Sequence, residues 1–147
     1  MIRLATVQDK HRVMAMAKVF HESAGHPFPY NAVHCSSVIS ACIAGGDALC
    51  LVLERDGKIV GALLAHAGPH TFNPVRIASE IMLWIEPGHR GGRHAAAMID
   101  AFETWAKGRG CALAHMVGLG GNPAIGKFYE RRGYYAAECH YVKRLAA

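Results

Sequence analysis

Arg90, Gly91, Gly92 and Arg93 stand between a β-rich run broken by Pro87 and a helical pattern that opens on His94 and Ala95, and that order of residue types suits an anion. A helix begins with main-chain N–H groups that have no carbonyl to donate to, so its N-terminus attracts negative charge. Glycine lets a bulky phosphate come close to the backbone, and arginine adds fixed positive charge. A bare Arg-Gly-Gly-Arg run also occurs in solvated turns and nucleic-acid-binding tails, so the flanking strand and helix carry the inference. Upstream on the strand lies Glu80. Two-residue alternation puts it on the face of Met82 and Trp84, where apolar neighbours would push a carboxyl up toward the range of a useful base. The competing reading is a sheet-edge carboxylate paired with Arg76.

Other residue types narrow the chemistry. The ten histidines include His21 and His26, five apart, and His34 beside Cys35, spacings that match no common zinc pattern, so no metal is expected. The five cysteines (Cys35, Cys42, Cys50, Cys111, Cys139) are odd in number, lack a CxxC pair and sit mostly in apolar runs, which reads as reduced thiols in the core and an intracellular, cytoplasmic chain. Sixteen basic against eleven acidic residues give a net charge of +5, which suits an anionic ligand. The charges are scattered, and aromatics do not interleave them in the stacking pattern of a nucleic-acid groove. The longest apolar stretch, 59–65, is too short to cross a bilayer, and the N-terminus has no signal-peptide core.

These residues need elements to hold them. With 147 residues and 52% hydrophobic content, one sizeable core is expected in a single domain over 1–147. A short strand is expected at 2–5. Thr6 and Asp9 then pair to open a helix to about Ser23, with Val13, Met16, Ala17 and Phe20 as its apolar stripe. Pro27 and Pro29 break the chain before Asn31 caps a second helix, which Gly45-Gly46 ends. Strands at 48–54 and 58–66 form a hairpin about Asp56-Gly57. Residues 76–85 make the fourth strand, 93–107 the third helix and 111–117 the fifth strand. A fourth helix over 123–132 starts on Pro123, and 134–144 is expected to be a sixth strand.

The run Arg90, Gly91, Gly92, Arg93, His94, Ala95, followed by Asn122, Phe128, Tyr129, Gly133 and Tyr134 of NPAIGKFYERRGY, resembles the paired motifs of the GNAT superfamily of N-acetyltransferases. Arg93 departs from the pattern, standing where that family usually has its middle glycine. The resemblance implies an α/β three-layer fold with a mixed central sheet of six strands, or seven, and four helices, splayed between the fourth and fifth strands. It implies acetyl-CoA as co-substrate, held by the main chain of Leu83, Trp84 and Ile85, by the loop from Arg90 to Ala95, and by Asn122 and Tyr129. Tyr129 matches the tyrosine that protonates the departing thiolate, and Glu80 lies on the strand that supplies a carboxylate base in some relatives.

The acceptor side is expected on the first-to-second helix loop and the third-to-fourth strand loop, where Phe28, Tyr30 and Phe72 would give apolar walls, with His66 and His70 nearby. Solvated loop histidines and a homodimer contact are the plainer readings of the same residues. The function expected is acetyl transfer from acetyl-CoA to a primary amine, of a small molecule or a protein, by direct attack in a ternary complex. The rivals are an acyl-CoA-binding sensor or interaction module without turnover, and a nucleic-acid-binding domain.

Overall fold

The computed structural model describes residues 1–91, 93–118 and 122–146. Its elements run β1 (Ile2–Leu4), a 3-10 turn (Val7–Asp9), α1 (Lys10–Ala24), α2 (Ala32–Ala44), β2 (Ala48–Arg55), β3 (Lys58–Pro69), β4 (Arg76–Ile85), a second 3-10 turn (Pro87–His89), α3 (Arg93–Gly108), β5 (Cys111–His115) and α4 (Pro123–Arg131). Local chemistry explains the boundaries. The Thr6 main-chain N–H donates to Asp9 Oδ2 at 2.8 Å, and the Arg3 guanidinium donates to both Asp9 oxygens, so β1 and the start of α1 are tied at one carboxylate. Asn31 caps α2 by accepting from His34 N at 2.9 Å, and Asp56-Gly57, both at positive φ, turns β2 into β3.

The sheet has the order β1-β2-β3-β4-β5, antiparallel except for the parallel β4–β5 pair. Its two faces bury separate clusters. On one, Val13, Met16, Ile39 and Cys42 of α1 and α2 pack on Cys50, Val52, Ala62, Leu64 and Met82. On the other, Met98, Phe102 and Ala106 of α3 pack on Leu49, Leu51, Leu63, Ala65, Ala78 and Ile85. Phe102, fully buried, anchors the second cluster, and truncating such a ring to alanine commonly costs about 3–5 kcal/mol.

The described residues form five strands, not six or seven. The 134–144 segment makes no strand, and residues 135–144 are exposed throughout. Tyr135, Tyr141, Val142 and Leu145 all point to solvent, and β5 beside it leaves Leu113 half exposed. Of the cysteines, Cys42 and Cys50 are core residues, Cys35 and Cys111 are half-buried, and Cys139 is exposed; all are free thiols. Among the described residues no helix is long and apolar enough to cross a membrane.

Candidate active site

The sheet opens where β4 outruns β5. Their ladder joins Arg76 to Cys111 and closes at Ser79 with His115, while β4 continues to Ile85 with no β5 partner among the described residues. On its other edge β4 carries a bulge. Ala65 pairs with Glu80 and Leu64 with Met82, which leaves Ile81 as the extra residue. The bulge reverses the phase of the strand. Ala65 and Ala78 face α3, whereas Leu64, Met82 and Trp84 face α1 and α2, so Glu80 lies on the opposite face from Met82 and Trp84 and not on theirs. Strict alternation fails here because one inserted residue flips every side chain beyond it.

Glu80 is nevertheless buried, at 7% exposure. Its Oε2 accepts from the Val117 main-chain N–H at 2.9 Å. Burial pushes its carboxyl up to about 7, against the smaller opposing effect of that hydrogen bond. Arg76 is not its partner, since that guanidinium pairs with Asp47 and donates to Arg109 O. Tyr129, half-buried on α4, donates its hydroxyl to Val117 O at 3.1 Å. Burial and the charge of Glu80 push its phenol up to about 12, so it keeps its proton at neutral pH. A carboxyl that titrates near neutrality and a phenol that stays protonated are thus fixed to the same residue, at the point where the strands part.

The segment around Tyr129 is built to hold that ring. Asn122 caps α4 by accepting from Ala124 N at 3.1 Å, with Pro123 in the first turn. After Arg132 the chain reverses at Gly133, φ +89°, and Tyr134 N donates back to Tyr129 O at 3.1 Å. The Tyr134 hydroxyl reaches Glu103 of α3 at 2.9 Å, and its ring lies 5.9 Å from that of Tyr129.

The loop between β4 and α3 is equally constrained. Arg12 bridges Glu86 at 2.5 Å and donates to Ile59 O, pinning the exit of β4 to α1 and β3. Arg90 Nε donates to Ile85 O at 2.7 Å, and its guanidinium carbon sits 4.5 Å over the Trp84 ring. Gly91 adopts φ +143°, and Arg93 N donates to Gly91 O as α3 begins. Gly92, expected in the same loop, lies outside the described residues. His94 and Ala95 occupy the first turn of α3, where helix geometry leaves their N–H groups without an intrahelical acceptor.

A model of the acetyltransferase (GNAT) family matches residues 13–134. The chain belongs to the GNAT family of acetyltransferases. Solved structures agree in fold: a ribosomal-protein-alanine N-acetyltransferase from Brucella melitensis biovar Abortus 2308 is 21% identical, with a TM-score of 0.73 and 99% of each chain covered. A transcriptional regulator from Bacillus halodurans C-125 is 21% identical, with a TM-score of 0.79 over 99% of each chain. A GNAT acetyltransferase from Staphylococcus aureus subsp. aureus USA300_TCH1516 is 16% identical, with a TM-score of 0.71 over 99% of this chain and 98% of that one. No curated protein matches by sequence.

Within this GNAT fold the remaining expected residues fall in three places. Leu83 and Ile85 turn toward α3 while Trp84 faces α1 and α2. Phe28 and Tyr30 come together, but around His21, whose ring centroid lies 5.6 and 5.8 Å from theirs. His66 is exposed on β3 opposite Ser79, and Phe72 is 91% exposed with its ring 5.6 Å from His70. Sequence reasoning missed Val117, which acts through its main chain, and Gly61. A Cβ at Gly61 would meet Trp84 O at 3.1 Å and Leu53 Cβ at 3.2 Å, so glycine there lets the end of β4 press on β3. A glycine inside the apolar run 59–65 was the available signal.

Proposed function

We propose that this GNAT domain transfers an acetyl group from acetyl-CoA to a primary amine by direct attack in a ternary complex. The observation that carries the reading is the joint attachment of Glu80 and Tyr129 to Val117 where β4 leaves β5. The donor set fits acetyl-CoA. The edge of β4 beyond Ser79 offers the main-chain groups of Leu83 and the N–H of Ile85 to the amides of the pantetheine arm, while those of Trp84 turn to β3 opposite Ala62. The diphosphate would meet the first turn of α3 at Arg93, His94 and Ala95, the backbone of Gly91 at positive φ and the terminal nitrogens of Arg90. Asn122 keeps its amide N–H groups free of its capping role, which uses only Oδ1.

When bound, acetyl-CoA supplies an acyl carbon activated by its thioester. Glu80 takes a proton from the acceptor ammonium, and the freed nitrogen forms its bond to the acyl carbon as the carbon–sulfur bond breaks. Tyr129 turns its hydroxyl from Val117 O to the departing sulfur and gives up its proton there. The second proton shed by the nitrogen balances the one needed to restore Tyr129. A main-chain N–H beside Trp84, that of Leu83 or Ile85 on the edge of β4 away from β3, would receive the oxygen as its charge grows.

Calorimetry with acetyl-CoA and with a short DNA duplex, together with a thiol-release screen over amines, tests this reading. Micromolar acetyl-CoA binding, no duplex binding and amine-dependent thiol release are expected. Acetyl-CoA binding without turnover on any amine would leave a sensor, and duplex binding alone would refute the transferase.

A further inference from the structure

The end of α1 and the segment joining it to α2 carry rings that proton transfer at Glu80 and Tyr129 does not use. The His21 ring lies 5.1 Å from His26, and His26 stacks on Phe28 at 5.3 Å with planes 6° apart. Phe20 meets His26 at 6.4 Å and Trp84 edge-on at 6.4 Å and 87°. With Tyr30 beside His21, the rings form a continuous layer from the exposed loop to β4 just past the bulge.

Two polar atoms within this layer, His21 Nε2 and Trp84 Nε1, are buried and have no hydrogen-bond partner. Native interiors pair nearly all such groups, and leaving one unpaired costs about 1–3 kcal/mol. Plain packing would be served better by phenylalanine at both positions. An indole N–H only donates, so its complement is an oxygen acceptor. The local charge has a sign as well: Arg90 covers the Trp84 ring, and Arg144 donates to Pro27 O on the same loop. Together with a net charge of +5, this disfavours a polycation and favours a ligand with an anionic end.

We infer that the acceptor is a ring-bearing aliphatic primary amine that also carries a carboxylate or carbonyl oxygen, the chemistry of an aromatic amino acid. Its ring joins the His21–Phe28 layer and its oxygen takes the Trp84 N–H. The inference rests on the transferase reading and narrows it from any primary amine to a ring-bearing one. Entry requires the 26–30 loop to lift from His21. Gly25 at φ +70° and the Asn31 cap are the two ends about which it moves.

The chain has two tryptophans, so a ¹⁵N-labelled sample shows two indole N–H resonances, and Trp84→Phe assigns them. Titrations with phenylalanine and with phenylacetate, which has no amine to acetylate, are expected to move the Trp84 resonance saturably. Alanine should bind about tenfold more weakly and spermidine should leave the resonance unmoved. Phe28→Ala, at a ring 58% exposed and so safe for folding, should weaken phenylacetate binding by about tenfold, the size of one lost contact. A Trp84 resonance unmoved by both ring compounds, or moved by spermidine instead, overturns the inference. Because this readout needs no acetyl-CoA, it fails or succeeds separately from the calorimetric test of the transferase.

Discussion

Replacing Glu80 by glutamine removes a titrating proton while keeping an oxygen for the Val117 N–H. The carboxyl moves from 4.5 to about 7 on burial, and at about 1.4 kcal/mol per unit this is about 3 kcal/mol. Its folded value lies above its unfolded one, so the native state holds the extra proton between those limits. Stability therefore falls as pH rises from about 4.5 to about 7, and the cost of the buried charge is fully present above that. Wild type and Glu80→Gln should unfold alike at pH 4, and the variant should be the more stable by about 3 kcal/mol at pH 8, a gain of about 6–12 °C in Tm for a chain of this size. Activity should move the other way. The acid limb of kcat/KM near pH 7 should disappear and the rate at neutral pH should drop about 10²-fold, with partial recovery at high pH as the acceptor loses its proton to solvent. Calorimetric melts and thiol-release rates over the same buffers read both effects. Parallel stability curves would refute the buried carboxyl, and an unchanged rate profile would refute the base.

Tyr129→Phe should lower kcat about 10²-fold with acetyl-CoA affinity little changed by calorimetry; full activity would remove the phenol from proton transfer. Arg90→Ala should weaken acetyl-CoA binding about tenfold at low salt and less at high salt, whereas a salt-independent loss would trace to the uncapped Ile85 carbonyl. Gly61→Val should cost about 1–3 kcal/mol, because its Cβ meets main chain as well as side chain, and an unshifted Tm would refute the close approach of β3 and β4. Hydrogen bonds from Arg3, aided by Thr6, hold the Asp9 carboxyl down to about 2, so its stabilisation is present above about pH 4 and lost as pH falls through 2. Asp9→Asn should cost about 2 kcal/mol at pH 7 and flatten the acid limb of stability between pH 4 and 2; an acid limb like that of wild type would refute the pairing.

The elements with their own punctuation were legible in the sequence: Asn31 and Gly45 around α2, Asp56-Gly57 in the hairpin, and Pro123 and Gly133 around α4 all stand where the chain starts or stops. The pairing of the Arg90 loop with the Tyr129 motif was readable because both depend on residue type. The bulge was not, since Ile81 is a β-branched residue that continues the strand pattern without a mark. Glu80 was therefore expected to be buried for the wrong reason, on the wrong face. Val117 left no trace because it contributes a peptide N–H and C=O that any residue other than proline would supply. The 134–144 segment carries Tyr135, Ala137, Cys139 and Tyr141 at strand spacing, yet all of them stay exposed, so pattern and β propensity overstated it. His21 and Phe28 meet only because the 26–30 loop folds back on α1, a distance in space that spacing along the chain does not report.

The one-residue slip at Ile81 divides the enzyme's labour between the two layers of helices. Glu80, before it, turns to the α3 face, where Val117 and Tyr129 meet its carboxyl; Met82 and Trp84, after it, turn to α1 and α2, where the rings gather. On the acceptor site proposed above, substitutions in the α1–α2 loop would retune which molecule is chosen without touching the face that carries Glu80, and a fold of this design would pass between substrates by changing one side of its sheet alone.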